Sequence, residues 1–420
     1  MDKFEIEGGT PLKGTVKISG AKNSVLPLMA ASLLFDRKLT LRNVPDVMDV
    51  YTMAQLLREL GVKVERMGDG VWSIDPSHIS STRAPYEIVK KMRASIYVFG
   101  PLLVREKKAE VSLPGGCAFG PRPVDLHLKG LKALGAKINI CHGYLCGEME
   151  SPHGEEIYFD KKSVGATAHL MMTAALIPDT TRLINVALEP EVIQLGEFLQ
   201  VAGAKITGLG TDIIEITGKE YLTPPNGFGV IPDRIEAGTY AVAAYLTKGD
   251  VRIERCIPEH LRNVIDKLKL AGAGIEEGES WIRVWAKSDV IRPVNIHTAP
   301  FPGFPTDMQA QFMALMTVAK GTSVFKEGIY PDRFKHAFEL NRLGADIIVE
   351  NGTAIVNGVE KLYGAPVMAT DLRASAALVL AGLIAEGKTI IDRIYHLDRG
   401  YDSFEIKLQT LGAKIKRVKS

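Results

Sequence analysis

Apolar residues recur at helical spacing in two stretches that lie far apart in the chain. Four side chains stand at positions i, i+3, i+4 and i+7 in each, which places them on one face of a helix: Met53, Leu56, Leu57 and Leu60, and then Leu261, Val264, Ile265 and Leu268. A glycine and a short apolar stretch follow each face. The pattern predicts a helix that ends at the glycine, which tolerates a left-handed backbone, and then a strand.

The same glycine signal divides the chain into repeats. Each glycine follows Leu or Ala and precedes Val or Ala, and successive glycines are 68 to 74 residues apart. The glycines are Gly61, Gly135, Gly203, Gly272, Gly344 and Gly412. Six repeats of about 70 residues therefore fill the chain, which is typical of one supersecondary unit used several times.

Each repeat opens on an Ala- and Leu-rich helix that a strand follows. The predicted first helices are Val25–Leu34, Ile96–Val104, Ala168–Leu176, Tyr240–Leu246, Phe312–Val318 and Ala374–Ala385. The predicted strands are Leu39–Val44, Ala109–Leu113, Thr181–Val186, Val251–Arg255, Ser323–Lys326 and Thr389–Arg393. This alternation predicts an α/β fold.

A break near the middle of the chain groups the repeats in threes. The segment Tyr221–Gly227 contains two prolines, an asparagine and a glycine, all of which favour turns. We place a domain boundary just after it, near Ile231. Two domains of three repeats are predicted, and a single ring of six repeats is the alternative.

Composition and charge exclude several classes of protein. Lys and Arg number 51 against 49 Asp and Glu, a net charge of +2, so bulk charge does not predict a nucleic-acid partner. The longest apolar helical stretch, Ala374–Ala385, is too short to cross a bilayer, and no secretory signal follows Met1. Four cysteines are too few for a disulfide scaffold. We therefore expect a cytoplasmic protein without a membrane partner.

Basic residues nevertheless recur at two places in the repeat, the entry to the first helix and the loop after the strand. They are Lys22, Arg93, Arg122, Arg373 and Arg399. A helix N-terminus suits anions, because it offers unpaired amides and the positive end of the dipole. If the repeats are symmetric, equivalent positions of two domains face one cleft, which predicts a polyanion site. For any one of these residues alone, a solvated surface side chain is the alternative.

The cysteines differ in their surroundings. Cys117 stands among three glycines and five residues before Arg122. This favours an exposed, reactive thiol, because a nearby arginine stabilises the thiolate, although free cysteines are more often buried and inert. Cys141 and Cys146 flank a predicted hairpin and lack the further pair that a structural zinc site needs. Cys256 follows a strand, and we predict a structural role for it.

Two aspartates precede predicted helices. Asp307 lies in Phe304–Gln311 and Asp371 in Thr370–Ser375. A carboxylate there can cap the helix by accepting amide hydrogen bonds, or it can serve as a general base or bind a ligand hydroxyl. The local sequence favours the cap for Asp307 and leaves Asp371 with the same ambiguity.

Seven ordered motifs carry a resemblance to a known family. They are Gly20–Asn23, Leu113–Cys117, Gly120–Leu126, Ser163–Thr167, Pro305–Gln309, Ala369–Ala374 and Asp398–Tyr401. With these motifs the whole chain resembles the enolpyruvyl transferases that use UDP-N-acetylglucosamine, the UDP-N-acetylglucosamine 1-carboxyvinyltransferases. The resemblance implies two inverted (inside-out) α/β-barrel domains, each of three repeats, with helices inside and sheets outside. It also implies that the first strand joins the second half, so that the domains are residues 22–231 and residues 1–21 with 232–420.

The resemblance further implies an activity. The enolpyruvyl group of phosphoenolpyruvate would pass to the sugar 3-hydroxyl, phosphate would leave, and no metal or organic cofactor would take part. This is the first committed step of peptidoglycan precursor synthesis, which implies a role in cell wall biogenesis, cell shape and cell division. Cys117 would protonate the terminal vinyl carbon and could add to the central carbon, giving a pyruvate adduct. Asp307 would accept the proton of the attacking hydroxyl.

Substrate contacts are implied residue by residue. Phosphoenolpyruvate would be held by cations, because it carries a phosphate and a carboxylate: Lys22, Arg93, Arg122 and Arg399, with Arg373 and Arg333 as further contacts. The nucleotide sugar would contact Arg122, Pro123, Val124, Asp125, Leu126, Lys161, Ser163, Val164, Gly165 and Ile329. Asn23 would lie at the sugar or the reacting centre, and Asp307 and Asp371 would be further substrate contacts. Amides of Ser163–Gly165 suit a diphosphate.

Two other functions stay open. The enolpyruvyl transferase that acts on shikimate 3-phosphate shares the six-repeat fold but lacks the Gly-Gly-Cys loop that ends at Cys117. A non-catalytic nucleotide-sugar-binding paralogue would have lost Cys117, Asp307 or Arg399, and all three are present. We infer no oligomeric state from the sequence.

Overall fold

The computed structural model describes residues 2–113 and 124–419. The chain divides into two compact units, Gly20–Ile231 (the continuous unit) and Met1–Ser19 with Pro232–Ser420 (the split unit). The family resemblance had implied that Gly20 and Ala21 belong to the split unit. They lie in the continuous unit because the Ala21 amide donates to the Ile231 carbonyl at 2.7 Å. Gly20 is also so close to Asn43 that an added Cβ would lie 1.8 Å from the Asn43 carbonyl oxygen.

Helices occur in every repeat. The α-helices of the described residues are α1 Lys22–Ala31, α2 Met48–Glu59, α3 Tyr86–Val89, α4 Phe99–Glu106, α5 Asp125–Ala133, α6 Val164–Ala174, α7 Pro190–Val201, α8 Arg234–Leu246, α9 Arg262–Ala271, α10 Gln309–Met316, α11 Lys335–Arg342, α12 Leu372–Gly382 and α13 Phe404–Thr410. Short 3-10 segments cover Ser32–Leu34, Arg93–Val98, Pro258–Leu261, Thr306–Met308 and Ile394–Arg399. No helix in residues 2–113 and 124–419 has both the length and the apolar composition that crossing a membrane requires.

Strands are short, from two to six residues. Those of the described residues are β1 Lys3–Glu7, β2 Lys13–Lys17, β3 Leu39–Arg42, β4 Lys63–Gly68, β5 Val71–Asp75, β6 Arg83–Ala84, β7 Lys108–Ser112, β8 Lys137–Cys141, β9 Tyr144–Glu148, β10 Glu156–Tyr158, β11 Thr180–Ile184, β12 Lys205–Thr207, β13 Ile213–Thr217, β14 Phe228–Gly229, β15 Asp250–Glu254, β16 Ala273–Glu277, β17 Trp281–Ala286, β18 Ile296–His297, β19 Thr322–Lys326, β20 Asp346–Glu350, β21 Thr353–Asn357, β22 Pro366–Met368, β23 Lys388–Asp392 and β24 Lys414–Val418.

Each repeat contributes one four-stranded sheet. The strand orders are β14-β3-β5-β4, β6-β7-β9-β8 and β10-β11-β13-β12 in the continuous unit, and β2-β15-β17-β16, β18-β19-β21-β20 and β22-β23-β1-β24 in the split unit. The first pair is parallel and the other two are antiparallel, as in β14 with β3, β3 with β5, and β4 with β5. Strands that are distant in the chain complete a sheet in each unit, since β14 joins the first sheet and β1 lies between β23 and β24.

Buried helices form the core of each unit. In the split unit α8, α10 and α12 pack on one another, and in the continuous unit α6 packs on α1 and α4. All eight residues of α10 and ten of the eleven in α12 are buried, as expected for helices that are apolar all round. Strands such as β15 alternate buried and partly exposed residues, so one sheet face covers the core. The predicted α/β class is confirmed.

The repeat boundaries follow the glycine signal. All six repeat glycines have a positive φ, between 91° and 112°, which confirms the predicted helix ends. The first helical segments begin two to six residues earlier than predicted. Polar residues such as Lys22 and Arg234 form their first turns. A prediction from apolar periodicity omits such residues, so it starts the helix too late.

Candidate functional site

Asp307 of the split unit lies between two buried arginines. Its carboxylate oxygens accept from Arg333 Nη1 and from Arg373 Nη2, each at 2.8 Å. The arginine side chains are only 7% and 3% exposed, respectively. The cap predicted for Asp307 is wrong, because no side-chain hydrogen bond caps the 3-10 segment Thr306–Met308 or α10. Both carboxylate oxygens face guanidinium groups instead.

These arginines decide the charge of Asp307. Burial by itself would raise the pKa of this carboxyl, but Arg373 and Arg333 outweigh burial and hold the pKa well below its ordinary value. Asp307 is therefore ionised at neutral pH and can accept a hydrogen bond from a hydroxyl. Within the described residues Arg373 Nη1 is buried without a hydrogen-bond partner, so this guanidinium has capacity for a further acceptor.

A buried carboxylate, Glu327, fixes the turn beside this cluster. Arg333 Nη1 donates to Thr306 Oγ1 at 2.9 Å, and Thr306 donates to Glu327 Oε2 at 3.0 Å. The other oxygen of Glu327 accepts from Thr298 Oγ1 at 2.6 Å and from the Ile329 amide at 2.8 Å. Glu327 was not among the predicted site residues, although a glutamate directly after a predicted strand was the available signal.

Aromatic and amide side chains hold Arg373 from its other side. The Tyr401 ring lies 5.4 Å from the Arg373 guanidinium carbon, within cation–π range. Gln311 Nε2 donates to the Asp307 carbonyl at 2.9 Å and to the Tyr401 hydroxyl at 3.2 Å. The hydroxyls of Tyr401 and Thr239 are 2.8 Å apart. These contacts restrict the position of Arg373.

The other predicted residues of the split unit lie close to α12. Asp371 caps this helix, because its Oδ1 accepts from the amides of Arg373 at 2.9 Å and Ala374 at 3.1 Å. The cap is therefore the correct local interpretation for Asp371. Arg399 ends the 3-10 segment that packs against α12. The pKa of His396 is lowered by burial and by Arg399, so Arg399 adds positive potential there.

Lys22 is the first residue of α1 in the continuous unit. Its ammonium is 3.2 Å from Oδ2 of Asp49, and the Asp49 side chain is 4% exposed. Asn23 follows on the exposed side of the helix. Arg93 opens a 3-10 segment that packs against α1. Asp49 was not among the predicted site residues, although an acidic residue in the first turn of an otherwise apolar helix face was the available signal.

The amino end of α6 carries the predicted diphosphate-binding residues. Ser163 caps this helix and accepts from the Ala166 amide at 3.2 Å. Val164 and Gly165 are its first two residues, and helix geometry leaves such amides without an intrahelical acceptor. Lys161 is exposed in the preceding loop. The arrangement offers backbone donors and positive potential to an anion.

The start of α5 lies near this helix end. Val124 directly precedes α5, Asp125 is its exposed first residue, and Leu126 is buried. The next residue, His127, has a pKa lowered to about 4 by burial and by Arg93, with a smaller opposite effect of Asp125. Arg93, Asp125 and His127 are therefore neighbours.

Three predicted site residues, Cys117, Arg122 and Pro123, lie outside the described residues. Of the remaining cysteines, Cys141 ends β8 and Cys146 lies in β9, which confirms the predicted hairpin. Burial raises the pKa of the Cys256 thiol to about 11, so this cysteine is an inert core residue. Across residues 2–113 and 124–419, no group of three or more His, Cys, Asp or Glu side chains is placed to hold a metal ion.

Curated relatives match the chain along its whole length. UDP-N-acetylglucosamine 1-carboxyvinyltransferase of Desulfatibacillum aliphaticivorans is 52% identical over 419 residues. The proteins of the same name from Desulfosudis oleivorans and Thermodesulfovibrio yellowstonii are 53% and 51% identical over 418 and 419 residues. All three alignments cover 100% of both chains.

Solved structures and a family pattern agree with these relatives. The enolpyruvyl transferase NikO from Streptomyces tendae superposes with a TM-score of 0.90 at 26% identity, covering 100% of this chain and 99% of NikO. EPSP synthase from Acinetobacter baumannii has a TM-score of 0.76 at 18% identity, with full coverage of both chains, and shows the fold alone. Residues 6–408 match the family described as EPSP synthase (3-phosphoshikimate 1-carboxyvinyltransferase). The chain belongs to this carboxyvinyltransferase family and, within it, to the UDP-N-acetylglucosamine 1-carboxyvinyltransferases.

Proposed function

We propose that this protein transfers the enolpyruvyl group of phosphoenolpyruvate to the 3-hydroxyl of UDP-N-acetylglucosamine and releases phosphate. The observation that carries the proposal is the 51 to 53% identity, over the whole chain, to five relatives named for this activity. The reaction is the first committed step of peptidoglycan precursor synthesis. We include in the proposal a cytoplasmic location and a role in cell shape and cell division.

The split unit supplies cations and an ionised carboxylate. Arg333, Arg373 and Arg399 would hold the phosphate and carboxylate of phosphoenolpyruvate, and Asp307 would accept the proton of the sugar hydroxyl. While both arginines contact Asp307, its low pKa makes it a weak base. A substrate anion that takes over part of those contacts raises the proton affinity of Asp307. Substrate binding would therefore make Asp307 a stronger base for accepting the hydroxyl proton.

The continuous unit would bind the nucleotide sugar and supply the acid. Lys22, Arg93 and Arg122 would complete the cation set, and the α6 amides at Val164 and Gly165 would bind the diphosphate. The other residues expected to contact the nucleotide sugar keep that role in the proposal: Asn23, Pro123, Val124, Asp125, Leu126, Lys161, Ser163 and Ile329.

The proposed chemistry balances in three steps. Cys117 protonates the terminal vinyl carbon, which makes the central carbon electrophilic. The sugar oxygen bonds to that carbon as Asp307 accepts the hydroxyl proton. Breaking the bond to the phosphate oxygen releases phosphate, which takes the hydroxyl proton from Asp307. The Cys117 thiolate takes a proton back from the methyl group, so that the enol ether forms. Cys117 can also add to the central carbon, which would give the pyruvate adduct.

We also propose that each unit is an inverted α/β barrel. The support is the burial of α1, α6, α8, α10 and α12 behind sheets that alternate buried and exposed positions. The domains would then be residues 22–231 and residues 1–21 with 232–420, apart from Gly20 and Ala21, which pack with the continuous unit.

Transfer to shikimate 3-phosphate is the second candidate, because the family pattern carries the name of that activity. The two functions separate in one assay, in which inorganic phosphate release from phosphoenolpyruvate is measured with UDP-N-acetylglucosamine, with shikimate 3-phosphate, and with neither. We expect release with the nucleotide sugar alone. Release with shikimate 3-phosphate alone would overturn the proposed acceptor, and no release from folded protein would favour a non-catalytic binding protein.

Cys117 variants test the proposed acid. We expect Cys117→Ala to abolish turnover and Cys117→Asp to retain part of it, because aspartate can also donate a proton. Full turnover of Cys117→Ala with both substrates present would exclude Cys117 as the required acid. Asp250→Asn is the matched control, since Asp250 pairs with Arg283 at an exposed position and is not one of the proposed site residues.

A further inference from the structure

Two histidines of the continuous unit form a buried pair between α5 and α6. Nδ1 of His127 and Nδ1 of His169 are 2.9 Å apart. Both side chains are buried, at 4% and 0% exposure respectively. The second ring nitrogen of His169, Nε2, accepts from the Gly100 amide at 2.7 Å. That amide belongs to the second residue of α4, which directly follows the 3-10 segment Arg93–Val98.

This chain of contacts fixes the protons on both rings. Burial lowers the pKa of His169 well below its ordinary value and that of His127 to about 4, so both rings are neutral near pH 7. A neutral ring whose Nε2 accepts from Gly100 carries its proton on Nδ1. His169 Nδ1 therefore donates to Nδ1 of His127. The proton of His127 must then reside on Nε2.

Two glycines make the close packing possible. A Cβ at Gly100 would lie 2.8 Å from His169 Nε2 and 2.1 Å from Oγ1 of Thr173. A Cβ at Gly165 would lie 3.1 Å from His127 Nε2. Each histidine thus fills the space that a side chain would take. The imidazole of His127 lies directly against the amino end of α6.

The Nε2 proton of His127 has no acceptor among residues 2–113 and 124–419, since its hydrogen bond there is the one from His169. Water or a ligand oxygen must then accept this proton, since an unmade hydrogen bond is costly. The donor faces Gly165, the second residue of α6, where helix amides are also unpaired. A ligand oxygen at this helix end would satisfy all of these donors.

We propose that His169 is a positioning residue, which holds His127 as an Nε2–H donor to an anionic oxygen, such as a diphosphate oxygen, bound at the amino end of α6. The inference rests on the proposed function for the identity of the ligand, the nucleotide diphosphate of the sugar substrate. The tautomer itself is a property of the protein alone. His169 acts through His127 and does not touch the ligand.

The first test reads the tautomers without any activity. Long-range proton–nitrogen correlation spectra of histidine-labelled protein at pH 7 distinguish Nδ1–H from Nε2–H rings. We expect His127 in the Nε2–H form and His169 in the Nδ1–H form, each assigned by loss of its signal in a single variant. A His127 ring protonated on Nδ1 in the wild-type protein would overturn the inference.

The second test compares two substitutions at His169. His169→Gln keeps one acceptor for Gly100 and one donor for His127, whereas His169→Met keeps the volume and neither function. Loss of a hydrogen bond to a charged group predicts a KM for UDP-N-acetylglucosamine about tenfold higher in His169→Met. We expect kcat and the KM for phosphoenolpyruvate to change less than about threefold, and His169→Gln to stay near wild type. Thermal unfolding of both variants checks that they are folded.

The outcomes separate the two proposals. If wild-type protein turns over and folded His169→Met has an unchanged KM for the nucleotide sugar, His169 has no positioning role and the proposed function stands. If wild-type protein is inactive with every acceptor, the proposed function fails. Calorimetric titration with UDP-N-acetylglucosamine then still compares the two variants, and equal affinities would overturn the inference.

Discussion

Replacing Asp307 with asparagine removes one negative charge from between two buried guanidinium groups. Arg333 and Arg373 each lie 2.8 Å from a carboxylate oxygen, and both side chains are less than a tenth exposed. The asparagine amide fills nearly the same volume but cannot neutralise either cation. Its NH₂ group also points a donor at one of the two arginines.

The expected loss of stability is large for a single isosteric change. Leaving buried charges uncompensated costs about 3–5 kcal/mol. The exposed pair of Asp250 with Arg283, 41% and 46% exposed, offers a matched comparison in the same unit. Removing that pair with Asp250→Asn should cost about 0.2–1 kcal/mol, because water screens exposed charges. The two variants delete the same chemical group, and burial is the main difference between the sites.

Urea unfolding in a phosphate-free buffer at pH 7 measures both changes. We expect Asp307→Asn to lower the free energy of unfolding by at least about 3 kcal/mol, and added inorganic phosphate to restore part of the loss by binding the exposed guanidinium groups. A loss below about 1 kcal/mol, equal to that of Asp250→Asn, would refute the reasoning that burial makes these arginines depend on Asp307.

Three further outcomes are expected. Asp49→Asn should raise the KM for phosphoenolpyruvate about tenfold in the phosphate-release assay, because Lys22 loses the carboxylate 3.2 Å away that positions it; an unchanged KM would contradict this. Gly100→Ala should lower the free energy of unfolding, measured in urea, by about 1–3 kcal/mol, since the new Cβ would lie 2.1 Å from Oγ1 of Thr173. A variant as stable as wild type would contradict this prediction. Burial, with a contribution from Arg333, lowers the pKa of His336 to about 4, below the 6.5 of an unfolded chain, so the unfolded state binds more protons between these values. The free energy of unfolding should therefore fall by up to about 3 kcal/mol as pH drops from 6.5 to 4. In urea unfolding at a series of pH values, His336→Gln should not show this part of the decrease.

Local signals in the sequence predicted the parts of the fold that local physics decides. A positive φ after a helix suits glycine, so Gly61 and its five counterparts could be recognised from their neighbours. The strands of the repeats, such as β3 and β15, start within one residue of the prediction, because their apolar runs are short and bounded. The helix starts were less accurate, because Lys22 and Arg234 belong to helices yet break the apolar pattern.

The two aspartates show where local reasoning ends. Asp307 and Asp371 occupy similar motifs before a helix, and the local chemistry allows a cap at both. Asp371 does cap α12, because its Oδ1 accepts from the amides two and three residues further along. Asp307 instead pairs with Arg373, 66 positions further along the chain. A single sequence does not show which residues so far apart in the chain are in contact. Only the folded structure shows which of the two aspartates caps a helix.

The local sequence around His169 likewise did not indicate its contacts. His169 stands in an Ala- and Met-rich stretch, where a neutral core residue is the ordinary interpretation. Its partners come from two other helices, the Gly100 amide of α4 and the His127 ring of α5. The signals that could have found the pair are the glycines that face it, because Gly100 and Gly165 both lie in helix first turns, where glycine has no conformational advantage. A glycine that helix geometry does not require indicates that another group occupies the space of its missing side chain.

The same reasoning connects stability with the proposed chemistry. A polyanion site needs several cations, and cations buried without a partner would destabilise the protein before substrate arrives. Asp307 serves that need for Arg333 and Arg373. Under the proposed function this carboxylate is a substitute for substrate charge. When the phosphate or the carboxylate of phosphoenolpyruvate takes over these contacts, Asp307 regains proton affinity. At Asp307 that change would convert a structural ion pair into the base that the transfer reaction requires.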